Sequence, residues 1–344
     1  MTKVLLTGGS GFIAAHILDI LLEHGHSVIT TVRSQEKAAK IIEAHPKVSR
    51  SQLDFRIVPD IAQPGAFDEA VKIDGLKVVI HTASPFHFNA TDMKRDLLDP
   101  AVNGTRGVLS AIKNGAPSVQ RVVITSSYAS ILDPSKDISD PTIVYSEKDW
   151  NPISEELALQ HPVLGYLASK TFAEKAAWEF IQKEKPNFTL ATINPPLVLG
   201  PVINHLNSLE SLNTSNQCIR DFTLGKLKTE IPDAGCFIWA DVRDVALAHV
   251  KAFELDAAAG KRCFVTAGFF SNREIAAIIK NHFPEYVSKL PGPEVKGGDY
   301  PEKGPCKFNN SKTNEILGIK YYSLERSVVD AVKSFKRIST GSKI

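Results

Sequence analysis

The chain is poor in cysteine, nearly neutral and without a long hydrophobic run, and each shortage closes off a class of function. Its four cysteines in 344 residues, Cys218, Cys236, Cys263 and Cys306, stand far apart with no Cys-x-x-Cys pair. That spacing suggests neither a zinc ribbon nor a disulfide framework. A formal charge of +2 is too mild to imply nucleic acid or an anionic membrane as partner. No apolar run approaches the roughly 20 residues of a membrane span. A strand candidate that begins at Lys3 leaves no room for a signal peptide, so a cytoplasmic location is expected and Asn103-Gly104-Thr105 carries no glycosylation meaning. His24-Gly25-His26 falls at a helix end, where a turn rather than a metal site is expected, and no metal is expected elsewhere.

What is present is a β-α-β rhythm. Apolar strand candidates at 3–7, 27–32, 54–58, 77–81, 120–125 and 188–194 alternate with helical runs near 12–24, 35–44, 65–72, 93–114 and 160–183. This order implies an α/β fold built on a Rossmann-type doubly wound parallel sheet. After Pro195-Pro196 the rhythm loosens, and residues 200–235 show no clear strand series. A strand-helix pair within 237–258 is expected to rejoin the sheet, and short helices are expected near 311–316 and 323–336. The expected organisation is a dinucleotide-binding domain, 1–195 rejoined by about 237–258, and a smaller discontinuous substrate-binding lid from 196–236 and 259–344.

The first strand runs into Thr7-Gly8-Gly9-Ser10-Gly11-Phe12-Ile13-Ala14 and then a helix. A glycine turn there can hold a dinucleotide pyrophosphate: Gly8 permits the turn, Gly11 allows close approach, and the helix end offers N–H groups and a positive dipole. The second strand ends at Arg33 with no carboxylate at 29–35. A carboxylate there would bind the ribose of NAD, whereas Arg33 and Lys37 suit the 2′-phosphate of NADP, so NADPH is the expected cofactor. At later strand ends, Asp60-Ile61 fits an adenine contact or a plain turn, and Thr82-Ala83-Ser84 offers small residues for close approach to ribose.

Tyr166-x-x-x-Lys170 places a phenol and an ammonium on one helical face. A cation that lowered the phenol by about three pKa units would supply roughly 4 kcal/mol toward ionisation. Such a phenol can protonate a carbonyl oxygen as hydride reaches its carbon. Ser127, after the fifth strand, supplies a hydroxyl for the same oxygen.

Together with Ala173-Glu174-Lys175 and Asp241-Val242-Arg243-Asp244, these motifs resemble an extended short-chain dehydrogenase/reductase of the dihydroflavonol-reductase-like branch. Within it, Arg33-Ser34-Gln35-Glu36-Lys37, His81-Thr82-Ala83-Ser84-Pro85-Phe86, Pro100-Ala101-Val102-Asn103-Gly104 and Leu212-Asn213-Thr214-Ser215 are most similar to yeast NADPH-dependent methylglyoxal and aldehyde reductases. The resemblance implies that Ser127 polarises the carbonyl, Tyr166 protonates it, and Lys170 holds the nicotinamide ribose and depresses the phenol. Asn103 would support a water relay behind the lysine, or be a buried helix amide. Val198 and Ser215, with Pro195, would lie toward the nicotinamide. Phe86 and Tyr128 would wall the substrate pocket, while Phe237 and Trp239 are assigned to the core. Leu197 stands where those reductases carry tyrosine, which favours bulkier or less polar carbonyl compounds. The implied activity is reduction of aldehydes and ketones, α-dicarbonyls included, by a monomer or homodimer. The alternatives are a sugar-nucleotide epimerase or dehydratase, disfavoured by Arg33, and a non-catalytic NADP sensor, disfavoured by the intact Tyr166 and Lys170.

Overall fold

The computed structural model describes residues 1–84, 92–203 and 209–340. Strands β1 (Lys3–Thr7), β2 (Ser27–Val32), β3 (Leu53–Ile57), β4 (Val78–His81) and β5 (Arg121–Thr125) alternate with helices α1 (Phe12–Glu23), α2 (Gln35–Ala44) and α3 (Asp99–Gly115). Strand β6 (Val144–Ser146) and the turn-long α4 (Glu155–Ala158) lead to the long helix α5 (Pro162–Glu184), then β7 (Thr189–Ile193) and β8 (Leu197–Leu199). Next come α6 (Gln217–Leu224), β9 (Ile238–Asp241), α7 (Val242–Glu254), β10 (Arg262–Cys263) and β11 (Gly268–Phe269). Helix α8 (Asn272–His282), strand β12 (Lys307–Asn309) and helices α9 (Ser311–Leu317) and α10 (Leu324–Thr340) complete the order.

Seven strands pair in the order β10-β7-β5-β4-β1-β2-β3, all in parallel. Parallel strands covered on both faces are apolar throughout, and Val4, Leu5, Leu6, Val79 and Ile80 are accordingly buried. Helices α1 and α7 cover one face and α3 and α5 the other, each over its own core cluster. The chain order reverses between β1 and β4, so Thr7 and His81 stand side by side at the carboxyl edge. Crevices at that point are where doubly wound sheets bind ligands. A separate core, including Phe222, Trp239, Phe270, Ile279 and Phe335, gathers α6, α8 and α10.

Several expectations need correction. Residues 65–71 form turns rather than a helix, entered through Gly65 at φ +72°. The helix expected from 93 opens with a π-type turn at Lys94–Leu98. Pro100 follows it at the start of α3, where its ring cannot tolerate the usual carbonyl one turn back. The strand expected to rejoin the sheet, β9, instead lies between β8 and β11 in a small sheet. Helix α7 alone returns to the main layer, and Arg262–Cys263, placed in the lid by sequence, supplies the seventh strand beside β7. Among the described residues no helix is long and apolar enough to cross a membrane, and all four cysteines are free.

Candidate active site

The glycine turn follows from local sterics. Gly8 has φ +73°, and a Cβ there would come within 3.0 Å of Ala83 Cα. Gly9 is packed harder still, since a Cβ would overlap Thr30 Oγ1 at 1.9 Å. The Thr7 hydroxyl is turned inward, 2.8 Å from His81 Nδ1 and accepting from Ala83 N at 3.2 Å. Thr82 Oγ1 donates to Thr7 O at 2.6 Å, so the two strand ends are stitched together. Gly11 is the N-cap of α1, where no side chain caps the helix and no acidic residue occupies the first turn. The helix end, with Phe12 and Ile13 leading it, thus presents its N–H groups to an anion.

Arg33 and Lys37 are exposed beyond β2, with the Ser34 side chain capping α2. Asp60 caps its own turn: Oδ2 accepts from Gln63 Nε2 at 3.0 Å and Oδ1 from Ala62 N at 2.9 Å. These bonds, with the nearby Arg33 charge, hold its carboxyl below the usual range. Ile61 is buried against Gly104 of α3.

Helix α5 starts at Pro162, capped by the His161 side chain, and carries Tyr166 and Lys170 one turn apart. Both remain partly exposed, as does Ser127. The Ser127 hydroxyl lies close enough to the Tyr166 phenol to act on its pKa as a hydrogen-bonding neighbour. Lys170 Nζ donates to Ser84 Oγ at 3.1 Å and lies 6.0 Å from the Tyr166 ring centroid. Burial raises the phenol pKa and the Ser127 bond opposes that rise. Burial also lowers Lys170 to about 8. The expected depression of the phenol by the lysine is not among these influences: burial raises the pKa and only the Ser127 hydroxyl opposes it, so Tyr166, like any phenol, is in its acid form at neutral pH.

Other expected positions divide. The Val198 amide donates to Ser215 Oγ at 3.3 Å, bringing those two residues together, and Pro195 O accepts from Tyr128 N at 2.8 Å. Asn103 is exposed on α3, which sets aside the buried-amide reading. A small cavity of about 20 Å³ beside Lys170, room for about one water, is walled on that helix by Ala101, Gly104 and Thr105. Tyr128 is not an open pocket wall either. It is buried, stacked 5.4 Å from Phe264, with its hydroxyl 3.9 Å from Cys306 Sγ. Leu197 is half-buried opposite Trp239, which is core, as is Phe237. Phe86 lies outside the described residues.

Sequence reasoning overlooked two buried groups. His81 is held near pKa 4 by burial, with the Lys170 charge adding to the effect. Glu174, which spacing from Lys170 already placed on the same helical face, is buried and salt-bridged to Arg262 at 2.6 Å. Glu254 also joins His24 and His26, at 2.9 and 3.0 Å, in the one group of three potential metal ligands among the described residues. The carboxylate there is engaged by both rings, and His26 Nδ1 accepts from Thr2 N at 3.2 Å.

Comparison with known proteins adds chemistry to this geometry. Residues 4–267 match the model of the NAD dependent epimerase/dehydratase family. The chain is 48% identical over 334 residues to a ketoreductase of Aspergillus niger, covering 96% of this chain and 97% of that protein. It is 39% identical over 338 residues to an NADPH-dependent methylglyoxal reductase of Saccharomyces cerevisiae, covering 95% and 96%. A yeast methylglyoxal/isovaleraldehyde reductase solved with NADPH superposes with a TM-score of 0.88 at 35% identity, covering 98% of this chain and 99% of that one.

Proposed function

The chain belongs to the NAD dependent epimerase/dehydratase family, and from that premise we propose that it is an NADPH-dependent carbonyl reductase. Its substrates are aldehydes and ketones, α-dicarbonyls such as methylglyoxal among them, and its products are alcohols. One observation carries the reading: Ser127 stands close enough to the Tyr166 phenol to lower its pKa through their hydroxyls, with Lys170 one turn along the same helix and donating to Ser84. The site fits a dinucleotide, because the turn at Gly8 has no room for a side chain and the first turn of α1 has no cap of its own.

NADPH, when bound, supplies the hydride that reaches the carbonyl carbon. The turn Gly8–Gly11 and the α1 N–H groups hold the pyrophosphate. Arg33 and Lys37 hold the 2′-phosphate, Arg33 by its fork and Lys37 as a point charge. Ser127 donates to the carbonyl oxygen, where charge develops. Tyr166, a phenol whose pKa burial raises further above neutrality, delivers its proton to that oxygen. Lys170 orients from below, anchored on Ser84. Val198 and Ser215, tied to each other, border the nicotinamide end, and Leu197 makes the adjoining wall aliphatic.

We further infer a cytoplasmic enzyme, monomeric or paired through α3 and α5. Residues 1–195 with α7 and β10 would bind the dinucleotide, while 196–241 and 264–340 shape the carbonyl end. The test is a screen for NADPH oxidation over aldehydes, diketones and aryl ketones, run beside Tyr166→Phe. The phenylalanine variant should lose about a hundredfold or more in kcat, the general-acid contribution. Full activity without the hydroxyl would refute the assignment.

A further inference from the structure

The reduction as described leaves Glu174 without a task, yet its carboxylate is one of the most heavily engaged groups in the chain. Oε1 accepts from Arg262 Nε at 2.6 Å, Thr192 Oγ1 at 3.1 Å and Trp178 Nε1 at 3.2 Å. Oε2 accepts from Asn194 Nδ2 at 2.7 Å and from the Ser126 and Ser130 hydroxyls. Those two serines bracket Ser127. Ser130 Oγ also lies 2.8 Å from Ser127 O, and Asn194 Nδ2 lies 3.3 Å from the same oxygen. Ser126, just before Ser127, is thus tied to Glu174 directly, and Ser127 O is reached by Asn194 Nδ2, whose other proton Glu174 holds, while the single Ser130 proton is shared between Ser127 O and Glu174.

Arg262 arrives from β10, 88 residues along the chain. Its guanidinium donates to Glu147 O at 2.8 Å and Asp149 O at 2.6 Å, and it stacks 3.7 Å from the Trp150 ring centroid. A carboxylate suits this position where an amide does not. Every neighbour is a donor, and an amide nitrogen would have to face one of them. Charge-assisted bonds are also shorter and stronger than neutral ones.

We propose that Glu174 is a positioning residue for the reduction: paired with Arg262, it tethers the Ser126–Ser130 turn to the helix that carries Tyr166 and Lys170, and so sets Ser127 against the Tyr166 hydroxyl. This rests on the reductase reading. Tyr166, Lys170 and Glu174 recur every four residues on one face of α5, so a single rigid helix holds the proton donor and the anchor of its partner.

The test is a cycle between Glu174→Gln and Ser127→Ala, measured by NADPH oxidation on one responsive carbonyl compound. Glu174→Gln should lower kcat by about 30-fold, part of the loss seen when an oxyanion donor is removed. NADPH affinity, titrated by its fluorescence, and the carbonyl KM should change by no more than about threefold. In the Ser127→Ala background the same change should cost no more than about threefold, because the group it acts through is gone. Equal losses in both backgrounds would overturn the inference while leaving the reductase intact. A wild type that turns over no carbonyl compound overturns both. Should Glu174→Gln fail to fold, Ser126→Ala and Ser130→Ala each cut one tether without stranding a buried charge. Each should lose about fivefold in kcat in the Ser127 background and none with Ser127→Ala, and additive losses would again refute the tether.

Discussion

Lys170→Met should make the protein more stable while destroying its activity. The ammonium donates to one hydroxyl among the described residues, that of Ser84, and burial brings its pKa from the ordinary 10.5 down to about 8. That difference corresponds to about 3 kcal/mol of cost for holding the charge at neutral pH. Part of the side chain still meets solvent, which reduces the realised figure to about 2 kcal/mol. Methionine keeps the length and removes the charge. For a chain of 344 residues the gain is a Tm rise of about 3 °C. The sign can be checked by pH. Between pH 8 and 10.5 the unfolded chain keeps a proton on Lys170 that the folded chain has released, so wild-type stability climbs across that window. The methionine variant lacks the climb, and its advantage should be widest below pH 8 and vanish toward 10.5. Thermal melts of both proteins without added NADPH, from about pH 6.5 to 9.5, measure this directly. A variant that melts below wild type at neutral pH, or a gap indifferent to pH, would mean that the ammonium is stabilised where it stands.

Arg33→Asp places a carboxylate at the end of β2, so NADPH affinity should fall by about a hundredfold or more while NADH affinity changes little. Fluorescence titration with both cofactors decides this, and equal losses would remove Arg33 from the phosphate site. Gly9→Ala should cost about 2 kcal/mol of stability, read as a lowered Tm. Its Cβ would overlap Thr30 Oγ1, which must then abandon its 3.0 Å bond to Leu6 O. An unchanged melt would show that the turn has slack.

The legible parts of the site share one property, that their physics is short-ranged. Strands β1, β2, β4, β5 and β7 read as largely apolar runs because parallel strands are covered on both faces, while β3, at the sheet's edge, alternates apolar residues with Asp54 and Arg56. The turn at Gly8 and the Tyr166–Lys170 pair depend on a few neighbouring residues. Helix α8 was equally open to reading, since Ser271 and Glu274 form a capping box that sequence analysis passed over. Strand β10 was not, because Arg262 and Cys263 are too few to show alternation and are strand only by their register with Thr192 and Ile193. The buried-amide reading of Asn103 went astray for a different reason. Its motif lies in the right helix, but each residue turns about 100° around the axis, and the face toward Lys170 belongs to Ala101, Gly104 and Thr105. Tyr128 follows Ser127 directly, yet Phe264 draws its ring into the interior.

Sequence alone determined the succession of strands and helices, the glycine turn and the spacing of Tyr166 to Lys170, since backbone geometry makes these local matters. Tertiary structure decided which groups lose water and who partners them. Glu174 meets an arginine 88 positions away, and the proton affinities of Tyr166 and Lys170 shift through burial by segments remote in the chain. Desolvation is a property of the assembled surroundings, and no pattern within a short window of residues encodes it.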